Sequence, residues 1–438
     1  MPPRPTARRL SAALTIASLS VAGATAVPSS GTAVPTSADA APVAAAPSSA
    51  PYELVNGVTA PIHSYEDAIR ETVWVLAPDF DRDGTADRIA VDIIRPADLD
   101  PDIEIPVIMD ASPYYLCCGR GNEAETKRYD ADGDPVDFPL FYDNYFVPRG
   151  YAVALVDMAG TGRSTGCVDH GGLSDIGSAE AVVRWLDGRT RAVDADGNPA
   201  SAIWSSGKVG MIGKSYDGTL ANGVAAHGVD GLETIVPISA ISSWYYYNRY
   251  QGLPISRGYA SWLSGYVAGE RTERVNCDAI FDQLDVDADD DSGVYNAFFR
   301  ERDYRYGRPF DASEVEASVF IMHGLQDTNV KTPNFSRWWT ALGEAGVGRK
   351  MWLTRLGHVD AFDSDRAAWY RVRRLATGIA VLTWVSASGC TVRSVRTDVR
   401  STVSLRPAVI GALLGRAGDV RSVPCVADPA AYVTSTLT

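Results

Sequence analysis

Short apolar runs alternate with amphipathic segments along residues 88–376. Apolar runs typical of buried strands stand at 88–95, 105–110, 151–157, 209–212, 234–238, 319–322 and 350–353. The apolar residues of 173–186 fall on one helical face, and residues 215 to about 227 also predict a helix. Strands separated by helices are typical of a mostly parallel sheet covered by helices, so we expect an α/β fold.

The alternation breaks between residues 241 and 309. This segment is rich in aromatic and acidic side chains and predicts helices. It has the character of an insertion over an edge of the sheet, and insertions at that place commonly form lids. We therefore expect a helical lid at 241–309.

Composition narrows the classes of partner. The chain has 438 residues, with 54 acidic side chains against 40 basic ones and a formal net charge of −14. Sequence-independent nucleic-acid binding and attachment to anionic membranes both need a basic surface. No internal stretch of the sequence reaches the roughly 18 uninterrupted apolar residues of a spanning helix. We therefore expect neither nucleic acid nor a membrane as a partner, and the sequence indicates no oligomeric state.

The amino-terminal residues carry the features of export. Three arginines among the first nine residues precede an apolar run at 10–27, in which Ala24-Thr-Ala26 suits a signal peptidase. We predict a signal peptide at 1–26. The Ala/Pro/Ser/Thr-rich residues 27–51 cannot bury enough surface to fold and predict a disordered linker. The mature protein is therefore expected to be secreted and extracellular.

Export makes disulfide bonds permissible for the six cysteines. Cys117 and Cys118 are adjacent and lack the spacing of a zinc site. We expect one or two structural bridges from Cys117 or Cys118 to Cys167 or Cys277, although spacing does not reveal connectivity.

Residues 377–438 stay unassigned. Lysine is absent after Thr377, and neither strand alternation nor helical periodicity persists. We interpret this segment as a poorly ordered, aberrant tail, as a truncated gene or a shifted reading frame would produce.

The strongest chemical signal is Gly213-Lys-Ser-Tyr-Asp-Gly218, between a predicted strand and a predicted helix. A serine at a sharp strand-to-helix turn presents its hydroxyl away from the sheet, and glycine neighbours allow the turn. The Tyr216 N–H would then point to the oxyanion of a tetrahedral intermediate. Asp217 stands where Gly-x-Ser-x-Gly has its second glycine, so the motif alone fits an ordinary glycine-flanked helix cap equally well.

A serine becomes a good nucleophile when an imidazole, oriented by a carboxylate, takes its proton. In sheet-based hydrolases the acid and then the histidine follow the nucleophile, on loops after later strands. Asp327 follows the predicted strand that ends at 322, and His358, one of five histidines, follows the one that ends at 353. Order and position at the carboxyl ends of strands predict a catalytic triad of Ser215, Asp327 and His358.

Five motifs follow one another along the chain: Ala111-Ser-Pro-Tyr-Tyr115, Gly160-Thr-Gly-Arg-Ser164, Gly213-Lys-Ser-Tyr-Asp-Gly218, His323-Gly-Leu-Gln-Asp327 and Gly357-His358. In this order they resemble the motifs of the secreted Xaa-Pro dipeptidyl-peptidases, part of a wider group of α/β-hydrolases that includes cocaine esterase. The resemblance covers roughly residues 52–376. It implies an α/β-hydrolase catalytic domain there, with Ser215 as nucleophile, Asp327 as orienting acid and His358 as base.

The resemblance also implies that the Tyr114 hydroxyl is the second oxyanion donor, since a phenol donates one strong hydrogen bond, as a backbone N–H does. A core aromatic after a strand is the alternative interpretation of Tyr114. Members of the family carry a further jelly-roll domain after the histidine. Because the last residues do not have the pattern of strands, we expect that domain to be truncated or degenerate.

The aromatic residues Trp244, Tyr245 and Tyr247 are candidate walls for a proline ring or another compact acyl group, or equally the core of the lid itself. Release of a dipeptide requires a carboxylate that recognises the α-ammonium group of the substrate. Glu123, Glu125 and the acidic run at 285–291 are candidates for that carboxylate.

The segment 79–87 contains oxygen ligands at alternate positions and a glycine for the bend, as calcium loops do. Asp79, Asp81, Asp83 and Asp87 are the candidate ligands of a structural calcium ion, against a solvated turn as the alternative. A Ser-His-Asp mechanism itself requires no cofactor.

The predicted triad, the export features and the resemblance together favour a secreted serine peptidase that removes Xaa-Pro dipeptides from peptides with proline at the second position. An esterase or amide acylase with the same triad is the nearest alternative. A non-catalytic secreted binding module is the alternative from another class.

Overall fold

The computed structural model describes residues 51–116, 126–131, 133, 135–269, 271, 276–358 and four dipeptides at 391–392, 402–403, 423–424 and 435–436. The predicted signal peptide 1–26, all but the last residue of the predicted linker 27–51 and most of the predicted tail 377–438 lie outside the described residues. Within the described part of the chain, no helix has the length and hydropathy to cross a bilayer.

The strands of the described residues are, in chain order, β1 Leu54–Val55, β2 Val58–Thr59, β3 Ile69–Leu76, β4 Arg88–Arg95, β5 Ile105–Ser112, β6 Arg128–Tyr129, β7 Pro135–Asp137, β8 Ala152–Asp157, β9 Ala192–Val193, β10 Pro199–Ala200, β11 Ser205–Lys214, β12 Leu232–Ile238, β13 Arg249–Tyr250, β14 Leu253–Pro254, β15 Ser318–Gly324, β16 Arg349–Thr354, β17 Thr391–Val392, β18 Thr402–Val403, β19 Val423–Pro424 and β20 Ser435–Thr436. The α-helices of the same residues are α1 Tyr142–Phe146, α2 Leu173–Leu186, α3 Tyr216–Ala226, α4 Trp244–Asn248, α5 Tyr259–Val267, α6 Asp278–Ala288, α7 Ala297–Arg300 and α8 Pro333–Glu344. Short 3-10 helices occur at Pro139–Phe141, Val147–Arg149 and Ala312–Glu314.

A ten-stranded sheet, in the order β10-β9-β3-β4-β8-β5-β11-β12-β15-β16, is central to the described part of the chain. Six of these strands, from β8 to β16 in that order, pair in parallel. The other side, from β10 to β8, is antiparallel. The mostly parallel α/β sheet that the sequence predicts is therefore present, with an antiparallel side that the apolar runs did not reveal.

Burial explains why the inner strands were recognisable from sequence. All six residues of β8 are buried, as are seven of the eight residues of β5. Strands buried on both faces form continuous apolar runs. Helices α2 and α3 pack against β11 and against each other, and nearly all of their residues are buried. The parallel centre is thus covered by helices whose positions agree with the sequence prediction to within one residue.

The segment predicted as a lid, 241–309, contains helices α4 to α7 and the β13–β14 hairpin among its described residues. It is anchored on the loop that follows β8: the Trp244 indole N–H donates to the Tyr304 hydroxyl at 3.0 Å, and that hydroxyl donates to the Gly171 carbonyl at 2.8 Å. A Cβ atom at Gly171 would lie 1.8 Å from the Trp244 indole nitrogen, so this close approach requires glycine.

A disulfide bond joins Cys167, in the loop after β8, to Cys277, the residue before α6. The predicted bridges from Cys117 or Cys118 to these two cysteines are therefore wrong, since Cys167 and Cys277 are bonded to each other. Cys117 and Cys118 lie outside the described residues. The error arose because the fold of the lid back over the β8 loop, which brings the two cysteines together, leaves no trace in their spacing.

The disulfide bond closes a chain segment of 110 residues. We expect the double variant Cys167→Ser/Cys277→Ser to lose about 4 kcal/mol of unfolding free energy, because the cross-link restricts the unfolded chain more for longer loops. Urea unfolding of the variant and of the oxidised wild type measures the difference, with dithiothreitol-treated wild type as a control. Equal midpoints would contradict the expectation.

Candidate active site

Ser215 occupies the turn between β11 and α3 with φ 62° and ψ −119°. This conformation is unfavourable for a residue with a side chain and persists only where its surroundings enforce it. The Ser215 N–H donates to the Ile238 carbonyl at the end of β12 at 2.8 Å, and the Thr219 N–H donates to the Ser215 carbonyl at 2.9 Å. The sharp strand-to-helix turn predicted from the sequence is therefore present and tied to the neighbouring strand.

The two glycines of the motif make this turn sterically possible. A Cβ atom at Gly213 would lie 2.5 Å from the Asp217 Cβ atom, and one at Gly218 would lie 2.5 Å from the Gly213 carbonyl oxygen. Real side chains do not approach so closely. Asp217, in place of the usual glycine, is accommodated because its side chain is buried beside Gly213 and the required small residue stands one position later, at Gly218.

The three residues predicted as a triad meet in one chain of hydrogen bonds. The His358 Nδ1 atom is 2.7 Å from the Asp327 Oδ2 atom, and its Nε2 atom is 2.9 Å from the Ser215 Oγ atom. The Asp327 side chain is fully buried, whereas the imidazole of His358 keeps 15% of its surface exposed. Such an arrangement lets a neutral imidazole accept the serine proton while the carboxylate stabilises the imidazolium.

The loop after β15 fixes the orientation of the acid. The Asp327 Oδ1 atom accepts hydrogen bonds from the Asn329 and Val330 N–H groups at 2.9 and 2.8 Å, which leaves Oδ2 to face His358. The His323 Nε2 atom lies 2.9 Å from the Val330 carbonyl, so this hydrogen bond ties the end of β15 to the loop that follows it. Burial lowers the pKa of His323 to about 4, so this imidazole is neutral and acts as a structural donor.

The loops that carry the acid and the histidine also bond to each other. The Leu325 N–H donates to the Thr354 carbonyl at 2.8 Å, and the Gln326 N–H donates to the Leu356 carbonyl at 2.9 Å. These bonds continue the parallel pairing of β15 with β16 beyond the ends of the strands. His358 is therefore positioned by the same ladder that positions Asp327.

Tyr216 is the first residue of α3, and the first N–H groups of a helix have no partner within it. The Tyr216 hydroxyl donates to the Asp175 Oδ2 atom at 2.6 Å, and burial raises the pKa of this phenol well above its usual range. Its ring is thereby locked in the core. The N–H group beside Ser215 is thus held in a fixed direction, as an oxyanion donor must be.

Tyr114 lies just after β5, the strand next to β11. Its side chain is buried, and its ring meets the Tyr216 ring edge to face, with 6.5 Å between the ring centres. The Tyr114 N–H donates to the Ser112 hydroxyl at 3.1 Å, which tightens the turn after the strand. The rings of the two predicted oxyanion residues therefore lie against each other, and Tyr216 follows Ser215 directly in the chain.

The aromatic residues predicted as substrate walls have different surroundings. Trp244 is fully buried and packs on the Tyr216 ring, with 5.0 Å between the ring centres, which favours the alternative that it belongs to the core of the lid. The Tyr245 hydroxyl donates to the Gly293 carbonyl, within the lid. The Tyr247 hydroxyl donates to the Asn329 Oδ1 atom at 2.9 Å and so reaches the loop of the acid.

The acidic candidates for the substrate ammonium group are largely engaged elsewhere. Asp285 accepts hydrogen bonds from the N–H and the hydroxyl of Ser261, and Asp290 accepts one from Arg249 at 2.6 Å. Both carboxylates thus hold parts of the lid together. Glu123 and Glu125 lie outside the described residues.

Three of the four predicted calcium ligands lie together. Asp79, Asp81 and Asp83 each offer a carboxylate oxygen within 4.8 Å of the others. Asp87 is buried, and its carboxylate accepts hydrogen bonds from the Phe80 N–H and the Thr165 hydroxyl, both at 3.1 Å. Asp87 lies outside the group of three, and calcium binding at this segment stays a prediction.

The ten-stranded sheet, the strained serine after β11 and the acid and histidine after β15 and β16 define an α/β-hydrolase. Residues 83–360 match the family model described as X-Pro dipeptidyl-peptidase (S15 family). The chain therefore belongs to the S15 peptidase family.

Relatives identified by sequence also support membership of this family. A protein of Streptomyces avermitilis with the provisional name Xaa-Pro dipeptidyl-peptidase is 55% identical over 329 residues, which are 74% of this chain and 47% of the relative. The Xaa-Pro dipeptidyl-peptidase of Lacticaseibacillus rhamnosus is 33% identical over 72% of this chain and 45% of its own length. The chain thus spans about half the length of the relatives that it matches. Among solved structures, a CocE/NonD family hydrolase from Staphylococcus aureus is 16% identical, with a TM-score of 0.48, over 70% of this chain and 50% of its own.

The buried His323 makes stability depend on pH. In the unfolded chain this imidazole takes up a proton below about pH 6.5, whereas in the folded protein it does so only near pH 4. The unfolded state binds more protons in this window, so stability falls as the pH falls, by about 2 kcal/mol at pH 5 from this residue. Urea unfolding at pH 7 and pH 5 measures the loss.

The variant His323→Gln is the matched control, because glutamine can donate to the Val330 carbonyl but does not titrate. Its loss of stability between pH 7 and pH 5 is expected to be smaller than that of the wild type. An identical loss in both proteins would contradict the role given to His323.

Proposed function

We propose that this chain is a serine peptidase that releases Xaa-Pro dipeptides from the amino termini of peptides through a covalent acyl-enzyme. The observation that carries the proposal is the imidazole of His358, which bridges the Asp327 carboxylate at 2.7 Å and the Ser215 hydroxyl at 2.9 Å. Membership of the S15 family supports the dipeptidyl-peptidase specificity. The substrate and the activity of the whole protein are part of the proposal.

Acylation begins when His358 Nε2 takes the proton of Ser215 as the serine Oγ atom attacks the carbonyl carbon of the prolyl residue. The carbonyl oxygen becomes an oxyanion, which the Tyr216 N–H and the Tyr114 hydroxyl stabilise. The protonated imidazole then gives its proton to the leaving amine as the C–N bond breaks. The Asp327 carboxylate holds the tautomer of the imidazole and stabilises the imidazolium.

Deacylation repeats these steps with water as the nucleophile. His358 takes a proton from the water, whose oxygen attacks the acyl carbon, and returns it to the Ser215 Oγ atom as the ester bond breaks. The dipeptide leaves as a free carboxylate and the hydroxyl is restored. No step requires a metal ion.

The variant Ser215→Ala should lower kcat/KM for an Ala-Pro anilide by about four to six orders of magnitude, because the covalent path is lost. Asp327→Asn should lower kcat by about four orders, since the amide disturbs the tautomer of the imidazole. Asp196→Asn, at an exposed carboxylate, is the matched control and should keep the wild-type rate. Near-native turnover by Ser215→Ala would refute the mechanism.

A triad of this kind also serves an esterase or amide acylase. We expect the wild type to hydrolyse Gly-Pro and Ala-Pro anilides, and the parallel assay with simple aryl esters separates the two functions. Cleavage of esters without anilides would establish the alternative. Failure of a fluorophosphonate probe to label Ser215 in the folded protein would favour a binding module.

We also propose that the catalytic chain acts outside the cell, after removal of residues 1–26. The order of arginines, apolar run and small residues at the amino terminus supports export. The disulfide bond between Cys167 and Cys277 supports an oxidising compartment. Amino-terminal sequencing of the protein from culture medium is expected to start at Val27, and recovery only from the cytosol would contradict export.

A further inference from the structure

A cluster of buried charges lies beside the strand that leads to Tyr114. The Lys127 side chain is 1% exposed, and its ammonium group is 2.7 Å from the Asp157 Oδ1 atom, 2.9 Å from the Asp92 Oδ2 atom and 3.0 Å from the Leu155 carbonyl oxygen. The three protons of the ammonium group thus have three acceptors, one from β4 and two from β8. The position of Lys127 is therefore fixed by two strands of the central sheet.

A second cation, Arg163, shares the same carboxylates. Its guanidinium group lies 2.6 Å from Asp92 and 3.5 Å from Asp157. Burial alone would raise the pKa of the Asp92 carboxyl, but the charges of Lys127 and Arg163 outweigh burial and lower this pKa to about 2. The Asp92 carboxylate that holds Lys127 therefore stays ionised at any pH at which the protein works.

Lys127 in turn holds the residue next to Tyr114. The backbone N–H of Lys127 donates to the Tyr115 carbonyl at 2.9 Å. The ammonium group of its side chain lies 4.1 Å from the centre of the Tyr115 ring. The Tyr115 hydroxyl donates to the Asp110 Oδ2 atom on β5 at 2.8 Å. Tyr115 is thus fixed at its carbonyl, at its ring face and at its hydroxyl.

A buried ion cluster is a costly way to gain stability, because the desolvation of the charges offsets most of their attraction. The cluster constrains the positions of its side chains more than it adds to stability, since each charge has a single well-bonded position. A shift of about 1 Å in a group that contacts the reacting atoms can lower a rate about a hundredfold. Tyr114 is covalently joined to the residue that this cluster fixes.

We propose that Lys127 is a positioning residue for Tyr114, transmitting the fixed geometry of β4 and β8 through Tyr115 to the oxyanion donor. The inference rests on the proposed function, because it requires Tyr114 to stabilise the oxyanion. It concerns the transition state only, so the loss of Lys127 lowers kcat and leaves KM nearly unchanged.

A double-mutant cycle tests the inference. Lys127→Met keeps the length of the side chain and removes its charge, and we expect it to lower kcat for an Ala-Pro anilide by about 10- to 100-fold with KM changed less than about threefold. In the Tyr114→Phe background the same substitution should lower kcat less than about threefold, because the donor it positions is already absent.

Arg163→Met is the matched control, because it removes the other cation from the same two carboxylates and has no hydrogen bond to Tyr115 among the described residues. Its effect on kcat, whatever its size, should be the same with and without Tyr114→Phe. If Lys127→Met does not fold, Tyr115→Leu replaces it: this variant removes the ring that the ammonium group contacts and should show the same coupling to Tyr114→Phe.

The outcomes separate the two proposals. The positioning role would be overturned if Lys127→Met lowered kcat by the same factor with and without Tyr114→Phe. It would also be overturned if Arg163→Met were coupled to Tyr114→Phe as strongly as Lys127→Met is. Either result would leave the proposed function intact. Unchanged kcat in Tyr114→Phe would instead remove the oxyanion role of Tyr114 and with it the premise of the inference. Near-native activity of Ser215→Ala would refute the proposed function itself.

Discussion

Parallel pairing of β11, β12, β15 and β16 is the constraint on which the site depends. Parallel strands end at the same edge of a sheet, so residues 215, 327 and 358 reach one place although they are far apart in sequence. The Ser215 N–H bonds to the end of β12, and the loops after β15 and β16 bond to each other. The strain at Ser215 persists because its N–H is bonded to β12 and its carbonyl to the first turn of α3.

The centre of this fold could be predicted from sequence because its inner strands are buried on both faces and its helices are amphipathic. The triad could be predicted for the same reason, since position after a recognised strand determines which edge a residue reaches. The antiparallel β3 escaped detection because polar residues interrupt its first half and only two of its eight residues are buried, so its apolar run at 73–76 is short. The oxyanion role proposed for Tyr114 came from resemblance alone, as nothing in the periodicity of the sequence distinguishes it from a core aromatic.

Contacts between distant segments were the least predictable. The pairing of Cys167 with Cys277, the burial of Trp244 and the turning of Asp87 toward Thr165 all depend on how loops fold over the sheet. Local patterns carry no signal for such packing. Lys127 was missed for a related reason: a single lysine among acidic and polar residues has the sequence pattern of a solvated surface, although its ammonium group is buried between two carboxylates.

Asn329 is hydrogen-bonded both to the acid of the triad and to the inserted helices. Its backbone N–H holds the Asp327 carboxylate, while its side-chain oxygen accepts the hydroxyl of Tyr247 from the inserted helices. A displacement of those helices must therefore either break the bond to Tyr247 or pull on the residue that aligns the acid. The position of the inserted helices and the orientation of the Asp327 carboxylate are therefore coupled through Asn329, so a substitution in those helices can change the geometry of the triad without touching it.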